Sequence, residues 1–588
     1  MAIENLITDH LDLWTAAVRP KSSAGRGSNS KLELTGIKKL RELILELAVR
    51  GKLVPQDPSD EPASVLLERI TAEKAQLVKE GKIKKPKALP EIGKEDKPFE
   101  LPAGWEWSML AEIAAINPRN EIDDAADASF VPMSLISTSY NGQHEFEARK
   151  WGEIKKGFTH FANGDIGIAK ITPCFENSKA AVFRGLINGV GAGTTELHIA
   201  RPYTDYVSAL FILLNIKSPI YLKKGEAGMT GTAGQKRLAK DFFSFYPLPI
   251  PPLAEQKRIV AKVDELMALC DQLELRSESQ LVAHQTLVKT LLATLTDCAD
   301  ADELAQSWAR LSTHFDTLFT TEASIDALKQ TILQLAVMGK LVPQDPSDEP
   351  ASALLARIAT EKAQLVKEKK IKKEKPQPAI SENEKPFELP QGWEWCRFSN
   401  LSTEVATGPF GSMISASEYI SDGIPLINPS HMVNGEIIED KEITVSMSKA
   451  NQLDGYRIKS GDVVMARRGE MGRCALVTER ENNWLCGTGS FVLKFSAEVN
   501  RQYILLMFQS KWVRGYLSGS SVGSTMVNLN HGILNKLPIM LPPPQEQSRV
   551  ILMVDRLMAL CDQLKSRLQT SKQTQLALAE SLVEGALA

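Results

Sequence analysis

The chain lacks every short motif by which a protein cradles a nucleotide or holds a catalytic metal. GMTGTAGQKR at 228–237 is glycine-rich but has no GK[ST] ending, and none of the eight histidines falls in an HExxH pattern. Asn117-Pro118-Arg119 and Asn428-Pro429-Ser430 are not the Asn/Asp-Pro-Pro-aromatic tetrad that holds an amino group for methylation. Glu153-Ile154-Lys155 has the carboxylate and lysine spacing of many nucleases, but it has no upstream metal-binding aspartate and no counterpart later in the chain. Gly189, Gly191 and Gly193 spell GxGxG instead of a dinucleotide fingerprint, and read as a strand-connecting loop. These absences assign no catalytic residue, no metal ligand and no cofactor to the chain.

Other absences bound the class. The seven cysteines are scattered and show no CxxC spacing, which excludes a disulfide framework and a zinc knuckle. Cys270 and Cys561 fall at equivalent helical positions and read as small buried hydrophobes in a reducing cytosol. The first residues, MAIENLITDHLDLW, carry acids and a histidine where a signal peptide needs a basic region, and no run of about 18 apolar residues occurs. The expectation is a cytoplasmic protein with no membrane partner. A net charge of −3 gives no general coat of positive potential, so any nucleic-acid surface must be local. At 588 residues the chain exceeds one core and suggests roughly three to five units.

What the chain does contain is a duplication. Residues 47–78 recur at 335–366 with five differences in 32 positions, including the whole run GKLVPQDPSDEPAS, while the 150 or so residues after each copy share almost nothing. VDELMALCDQL at 263–273 returns as VDRLMALCDQL at 554–564. The offsets are 335 − 47 = 288 and 554 − 263 = 291, so the two variable middles differ by only three residues in net length. A retained frame around two rewritten inserts is the pattern expected when each insert recognises something different.

Ile37, Leu40, Ile44 and Leu47 have helical spacing, and Ile325, Leu328, Ile332 and Leu335 repeat it. Gly51 and Gly339 suit the ends of those helices, and Pro62 and Pro350 the starts of the next. The lysine runs at 79–87 and 367–375 read as solvated linkers. KPFELPAGWEW at 97–107 and KPFELPQGWEW at 385–395 form near-identical gates into the inserts. GDIGIAKI, TELHIA, GDVVMARR and SFVLKF read as strands, and 207–216 and 503–508 as helices, so each insert is mixed. Proline-rich exits, YPLPIPPLAEQ and LPIMLPPPQEQ, forbid a continuing central strand or helix. Beyond the first exit, residues 253–338 contain no Gly or Pro, which predicts uninterrupted helix. Ile259, Val263, Leu266, Cys270 and Leu273, like Val550, Val554, Leu557, Cys561, Leu564 and Leu568, alternate spacings of four and three, a coiled-coil seam. The fold expected is α+β: two globular α/β insert domains separated by long helices that pair as an antiparallel coiled coil, with a pseudo-two-fold internal repeat. The expected divisions are 1–95 (helical repeat and linker), 96–250 (first insert), 251–297 (central spacer helix), 298–384 (second repeat and linker), 385–541 (second insert) and 542–588 (C-terminal spacer helix).

Two exchangeable inserts, each leaving by a proline-rich exit into an E-Q heptad helix, resemble the DNA specificity subunit of type I restriction-modification systems, over essentially the whole chain. GKLVPQDPSDEPAS before each gate looks most like the IB subgroup of that family. TGPFGS at 407–412, GIPLINP at 423–429 and the GD-hydrophobic strands at Gly164 and Gly461 are further family-like details. The first insert departs from the pattern, with INPRN at 116–120 near the place of TGPFGS. The resemblance implies a non-catalytic reader in which each insert is a target recognition domain for one half of a split, asymmetric site in double-stranded DNA. It also implies that the helices dock two methyltransferase subunits bringing S-adenosylmethionine, and that two restriction subunits add ATP- and Mg2+-dependent translocation and cleavage. A helix of about 22 residues at 1.5 Å each spans about 33 Å, the separation of half-sites one DNA turn apart.

Candidate DNA contacts are Lys170, Thr172, Lys236 and Arg237 in the first insert, and Arg467, Arg468, Arg473, Asn528 and Asn530 in the second. Arginine pairs bidentately with guanine and asparagine with adenine, whereas lysine more often takes phosphate. Arg467 and Arg468, as neighbours on a strand, cannot both face DNA. The competing class is a tandem scaffold whose inserts bind proteins or glycans, supported by the acidic balance.

Overall fold

The computed structural model describes residues 3–20, 32–81, 83, 88–232, 234–298, 301–373, 375–519 and 529–587. The chain divides into two compact units, Met1–Gln280 with Ser571–Ala588, and Leu281–Thr570. The boundaries cut through both long helices, α2 (Leu253–Asp297) and α4 (Pro544–Leu587). Each unit therefore holds the start of one long helix and the end of the other, the distribution that an antiparallel pair produces. No helix among the described residues is long and apolar enough to cross a membrane.

Each unit is organised on a repeat helix, α1 (Thr35–Val49) or α3 (Glu322–Val337). The stripe Ile37, Leu40, Ile44 and Leu47 is buried in one core with Ile259, Val263, Leu266 and Cys270 of α2. In the second unit Ile325, Leu328, Ile332 and Leu335 share a core with Val550, Val554 and Cys561 of α4. The heptad seam thus has the repeat helix of its own unit as an immediate partner, and each buried Leu or Ile contributes roughly 1.5–3 kcal/mol. Charged flanks fix the register in both copies: Arg41 binds Asp271 at 2.5 Å, and at the matching positions Lys329 pairs with Asp562.

The tract 253–338 is not one helix. It resolves into α2, Ala301–Thr313, Phe315–Leu318 and α3. Before α3, the Thr321 hydroxyl accepts from the Ser324 amide at 3.1 Å and the Ser324 hydroxyl accepts from the Thr321 amide at 3.2 Å. This capping box starts a new helix without Gly or Pro.

The repeated GKLVPQDPSDEPAS segment locks gate to frame. Gly51 ends α1 at φ 67°, and a Cβ there would lie 2.6 Å from Pro102 and 2.9 Å from Trp105; Gly339 repeats this against Pro390 and Trp393. Pro62 and Pro350 stand at the N-caps of Ala63–Lys79 and Ala351–Lys367. The following amides donate to the gate carbonyls of Gly104 and Gly392, both at 2.9 Å. Arg258 and Arg549 of the long helices reach Asp60 and Asp348 at 2.6 and 2.5 Å. Of the expected lysine linkers, residues 82, 84–87 and 374 lie outside the described residues.

Gate and exit are bonded to each other. Glu106–Met109 pairs antiparallel with Pro247–Ile250, and Glu394–Arg397 with Pro538–Leu541. The prolines confine both exits to two-stranded ribbons. Within the first insert, β1 (Ala114–Ile116), β2 (Ile166–Ala169), β3 (Ala180–Val182) and β4 (Leu197–Pro202) form a sheet ordered β1-β4-β2-β3. Within the second, β5 (Ser402–Thr407), β6 (Val463–Ala466), β7 (Cys474–Leu476) and β8 (Ser490–Phe495) are ordered β5-β8-β6-β7, the same topology from largely different sequence. A smaller sheet in each insert contains one parallel pair, Asp127–Val131 with Val190–Gly193 and Ile424–Ile427 with Leu485–Cys486. Gly191 and Gly193 therefore lie in a strand, not in a connecting loop. A Cβ at Gly191 would sit 2.6 Å from both Phe161 and the Ser129 carbonyl, so only glycine admits the neighbouring ring.

Candidate nucleic-acid interface

The two four-stranded sheets end in the same way. Lys170 follows β2; its amide donates to the Glu196 carbonyl at 2.9 Å and its carbonyl accepts from the Leu238 amide at 2.7 Å. Arg467 follows β6; its amide donates to the Gly489 carbonyl at 2.9 Å and its carbonyl accepts from the Leu529 amide at 3.0 Å. Glu196 and Gly489 precede β4 and β8, and Leu238 and Leu529 precede the helices Lys240–Phe245 and His531–Lys536. Lys170 and Arg467 are structurally equivalent basic residues at the mouth of each insert, and each directly follows a shared alanine (Ala169, Ala466) in a segment that opens on a shared Gly-Asp pair (Gly164-Asp165, Gly461-Asp462).

Around Lys170 the structure gathers all four first-insert candidates. Thr172 is buried; its amide donates to the Lys236 carbonyl at 3.0 Å and its hydroxyl accepts from the Lys236 amide at 3.1 Å. Lys236 itself is exposed. Arg237 is also exposed, but its guanidinium is held by Glu196, with Nη2 to Oε1 at 2.9 Å. The Arg237 hydrogen bond holds the Glu196 carboxyl below its ordinary range, with the Lys170 charge adding to this. Among the described residues Lys170 and Lys236 form no salt bridge, although the Lys170 charge acts on Glu196, whereas Arg237 must exchange Glu196 for phosphate. Sequence spacing could not show this, because Glu196 lies 41 residues away.

In the second insert Arg467 and Arg468 lie beyond the end of β6 and not on the strand, so strand alternation does not sort them. Burial does. Arg467 lies over the Phe491 ring at 4.9 Å, with Nε donating to the Leu529 carbonyl at 3.3 Å, and Arg468 is exposed. Partial burial, and then the Arg468 charge, lower the Arg467 pKa. Arg473 is tied to Glu470 at 2.7 Å, and Glu470 also takes Arg514 at 2.9 Å. Asn530 is exposed, but its Oδ1 caps the next helix by accepting from the Ile533 amide at 3.0 Å, which leaves its Nδ2 as the outward donor. Asn528 lies outside the described residues.

Two residues that sequence reasoning missed belong to this face. The Thr407 hydroxyl at the end of β5 meets His531 Nε2 at 2.8 Å, and the His531 ring packs 5.2 Å from Phe491. Burial and the nearby Arg467 lower the His531 pKa, favouring a neutral ring. The NLNH order at 528–531 was the available signal. INPRN follows β1 as TGPFGS follows β5, but it is folded down: Arg119 Nη1 and Asn120 Nδ2 donate to the carbonyls of Phe158 and Phe161 at 3.2 and 2.7 Å. The Glu153-Ile154-Lys155 set is structural, with Ile154 buried and Lys155 bound to Asp124 at 2.5 Å.

The family model for the type I restriction modification DNA specificity domain matches residues 102–282 and 404–571, the two inserts with their following helices. The chain is 54% identical to the type I restriction enzyme EcoEI specificity subunit of Escherichia coli, and 52% identical to the EcoAI specificity subunit of the same species. Both alignments cover the whole of each chain. A solved chain from a study of type I R-M complex assembly and conformational transition superposes with a TM-score of 0.50 at 17% identity, covering 83% of this chain and 99% of that one.

Proposed function

Because this chain belongs to the type I restriction-modification DNA specificity family, a recognition subunit and not an enzyme, we propose that each insert reads one half of a bipartite, asymmetric duplex site. The equivalence of Lys170 and Arg467 carries the reading. Two inserts of largely different sequence place a cation at one backbone position, bonded to the same two segments, as expected of two readers of one polymer. Acidic residues elsewhere account for the net charge without removing these local cations. The repeat helices and the long helices are retained between copies and form the frame on which two identical methyltransferase subunits dock. Those subunits bring S-adenosylmethionine, and two restriction subunits bring ATP and Mg2+ chemistry, in the cytoplasm where the DNA lies. The IB subgroup is part of this proposal and rests on the duplicated GKLVPQDPSDEPAS segment.

The test is exchange of residues 110–246 for the insert of a relative, leaving both gate and exit strands in place. Mapping of methylated adenines is expected to show one changed half-site and one unchanged. Simultaneous change of both half-sites defeats the independent-reader arrangement. Binding that is indifferent to duplex sequence, with and without the methyltransferase, favours a protein-binding scaffold instead.

A further inference from the structure

TGPFGS presents an aromatic ring to solvent on an anchored loop. Gly408 leaves β5 with its amide on the Ser490 carbonyl at 3.0 Å, and a Cβ there would lie 2.2 Å from the Gly487 carbonyl oxygen. Pro409 is buried beside it, and Ile414 is buried in the core of the smaller sheet. Between these anchors Phe410 is 71% exposed, closed by a short turn in which the Met413 amide donates to the Phe410 carbonyl at 2.9 Å. The loop is pinned at both ends and holds its largest apolar side chain outward, where a partner can cover the ring.

The position identifies that occupant. Gly408 and Arg467 bond to Ser490 and Gly489, from the two strands that flank β8. Two strand spacings, about 10 Å, separate them, so Phe410 and Arg468 leave the same end of the sheet. An outward aromatic next to arginines and the Asn530–His531 pair matches nucleic acid: cations take phosphate, amides take base edges, and an apolar wedge stacks on a base or opens a base step. We propose that Phe410 is a stacking wedge of the second insert, inserted at or against one base step of the half-site read there. At the matching place in the first insert, INPRN carries no aromatic side chain and is hydrogen-bonded down onto its neighbouring sheet. Base recognition in the two halves is therefore asymmetric. The inference rests on the DNA-reading function proposed above.

The experiment uses the full chain with its methyltransferase partner and duplexes bearing 2-aminopurine at successive positions of each half-site. The wild type is expected to enhance fluorescence at one step of the second half-site, apart from the methylated adenine, whose flipping serves as internal reference. Phe410→Ala is expected to abolish that signal and weaken cognate binding by about 5- to 150-fold, the range for one base–aromatic stack. It should leave the first half-site and the thermal midpoint unchanged, and Phe410→Trp should retain the signal. A Phe410→Ala protein that binds and fluoresces like wild type overturns the wedge while leaving the reading function intact. So does one that binds DNA normally but loses the methyltransferase, because the ring would then face a protein. A wild type with no preference for either half-site overturns the reading function itself.

Discussion

Nε1 of Trp105 donates to Oε2 of Glu255 at 3.0 Å, joining the gate to the exit helix across 150 residues of chain. Gln56 of the repeated turn donates to the other oxygen at 3.1 Å, and Gln344 to Glu546 repeats that bond at 3.2 Å. Burial raises the Glu255 pKa, and the Gln56 and Trp105 hydrogen bonds oppose the rise. A raised native pKa favours the folded state below about pH 4.3, where the free carboxyl is protonated, and that advantage disappears as pH rises through the native value. Trp105→Phe removes a donor to the charged form. Urea titration is expected to show a loss of about 1–3 kcal/mol at pH 7 that shrinks toward pH 4. An equal loss at both values would mean that packing, not the hydrogen bond, sets the penalty.

The seam between α1 and α2 separates packing from charge. Leu40 is fully buried, and Leu40→Ala is expected to cost about 2–5 kcal/mol. Its neighbour Arg41 is partly exposed and paired with Asp271 and Glu274, and Arg41→Ala should cost less than about 1 kcal/mol. Chemical denaturation of the two full-length variants checks the ranking.

Arg468→Ala, at an exposed cation, is expected to weaken DNA binding across all sequences and reduce the salt slope by about one, as for a lost phosphate contact. Arg467→Ala should in addition reduce preference within the second half-site, because the guanidinium positions Phe491 and the Leu529 backbone. Lys170→Ala is the control and should act on the first half-site alone. Salt-dependent binding to duplexes mutated in one half-site at a time distinguishes these outcomes.

Lys217 is buried, its Nζ donating to the Ser178 carbonyl at 2.5 Å, and burial lowers its pKa to about 7. The unfolded chain therefore holds a proton that the native chain has lost between pH 7 and about 10.4. Stability is expected to rise with pH across that window, by at most roughly 1.4 kcal/mol per unit from this group. Lys217→Met should remove the rise, as measured by denaturation at pH 7.5 and 9.

The duplication made the frame legible. Identical segments recur because the same helix, turn and gate are built twice, and the stripes of α1 and α2 are visible at helical spacing. Strands such as Ile166–Ala169 and Ser490–Phe495 were legible from their β-branched and aromatic content. The site was legible only as residue types. Whether Arg237 or Arg473 is free depends on Glu196 and Glu470, and the first of these approaches only through sheet pairing. The match of Lys170 to Arg467 was legible in part, since each ends a segment of the form Gly-Asp-three residues-Ala-basic, but their common bonding to Glu196 and Leu238 or to Gly489 and Leu529 exists only in the backbone hydrogen bonds. The break before α3 was missed because Thr321 and Ser324 interrupt a helix by capping, without the Gly or Pro that usually announces it.

The last helical turns of the chain belong to the first unit. Ala579 is buried in the core of Leu40 and Ile259, Leu582 and Val583 pack on it, and Lys52 Nζ donates to the Leu587 carbonyl at 3.0 Å. During synthesis the first insert leaves the ribosome hundreds of residues before the segment that completes its helical layer. A message broken or stalled before codon 571 yields a first unit with an open apolar face, and such a fragment is prone to aggregation or proteolysis. Completion of the first unit's helical layer is thereby tied to translation of the chain's last turns.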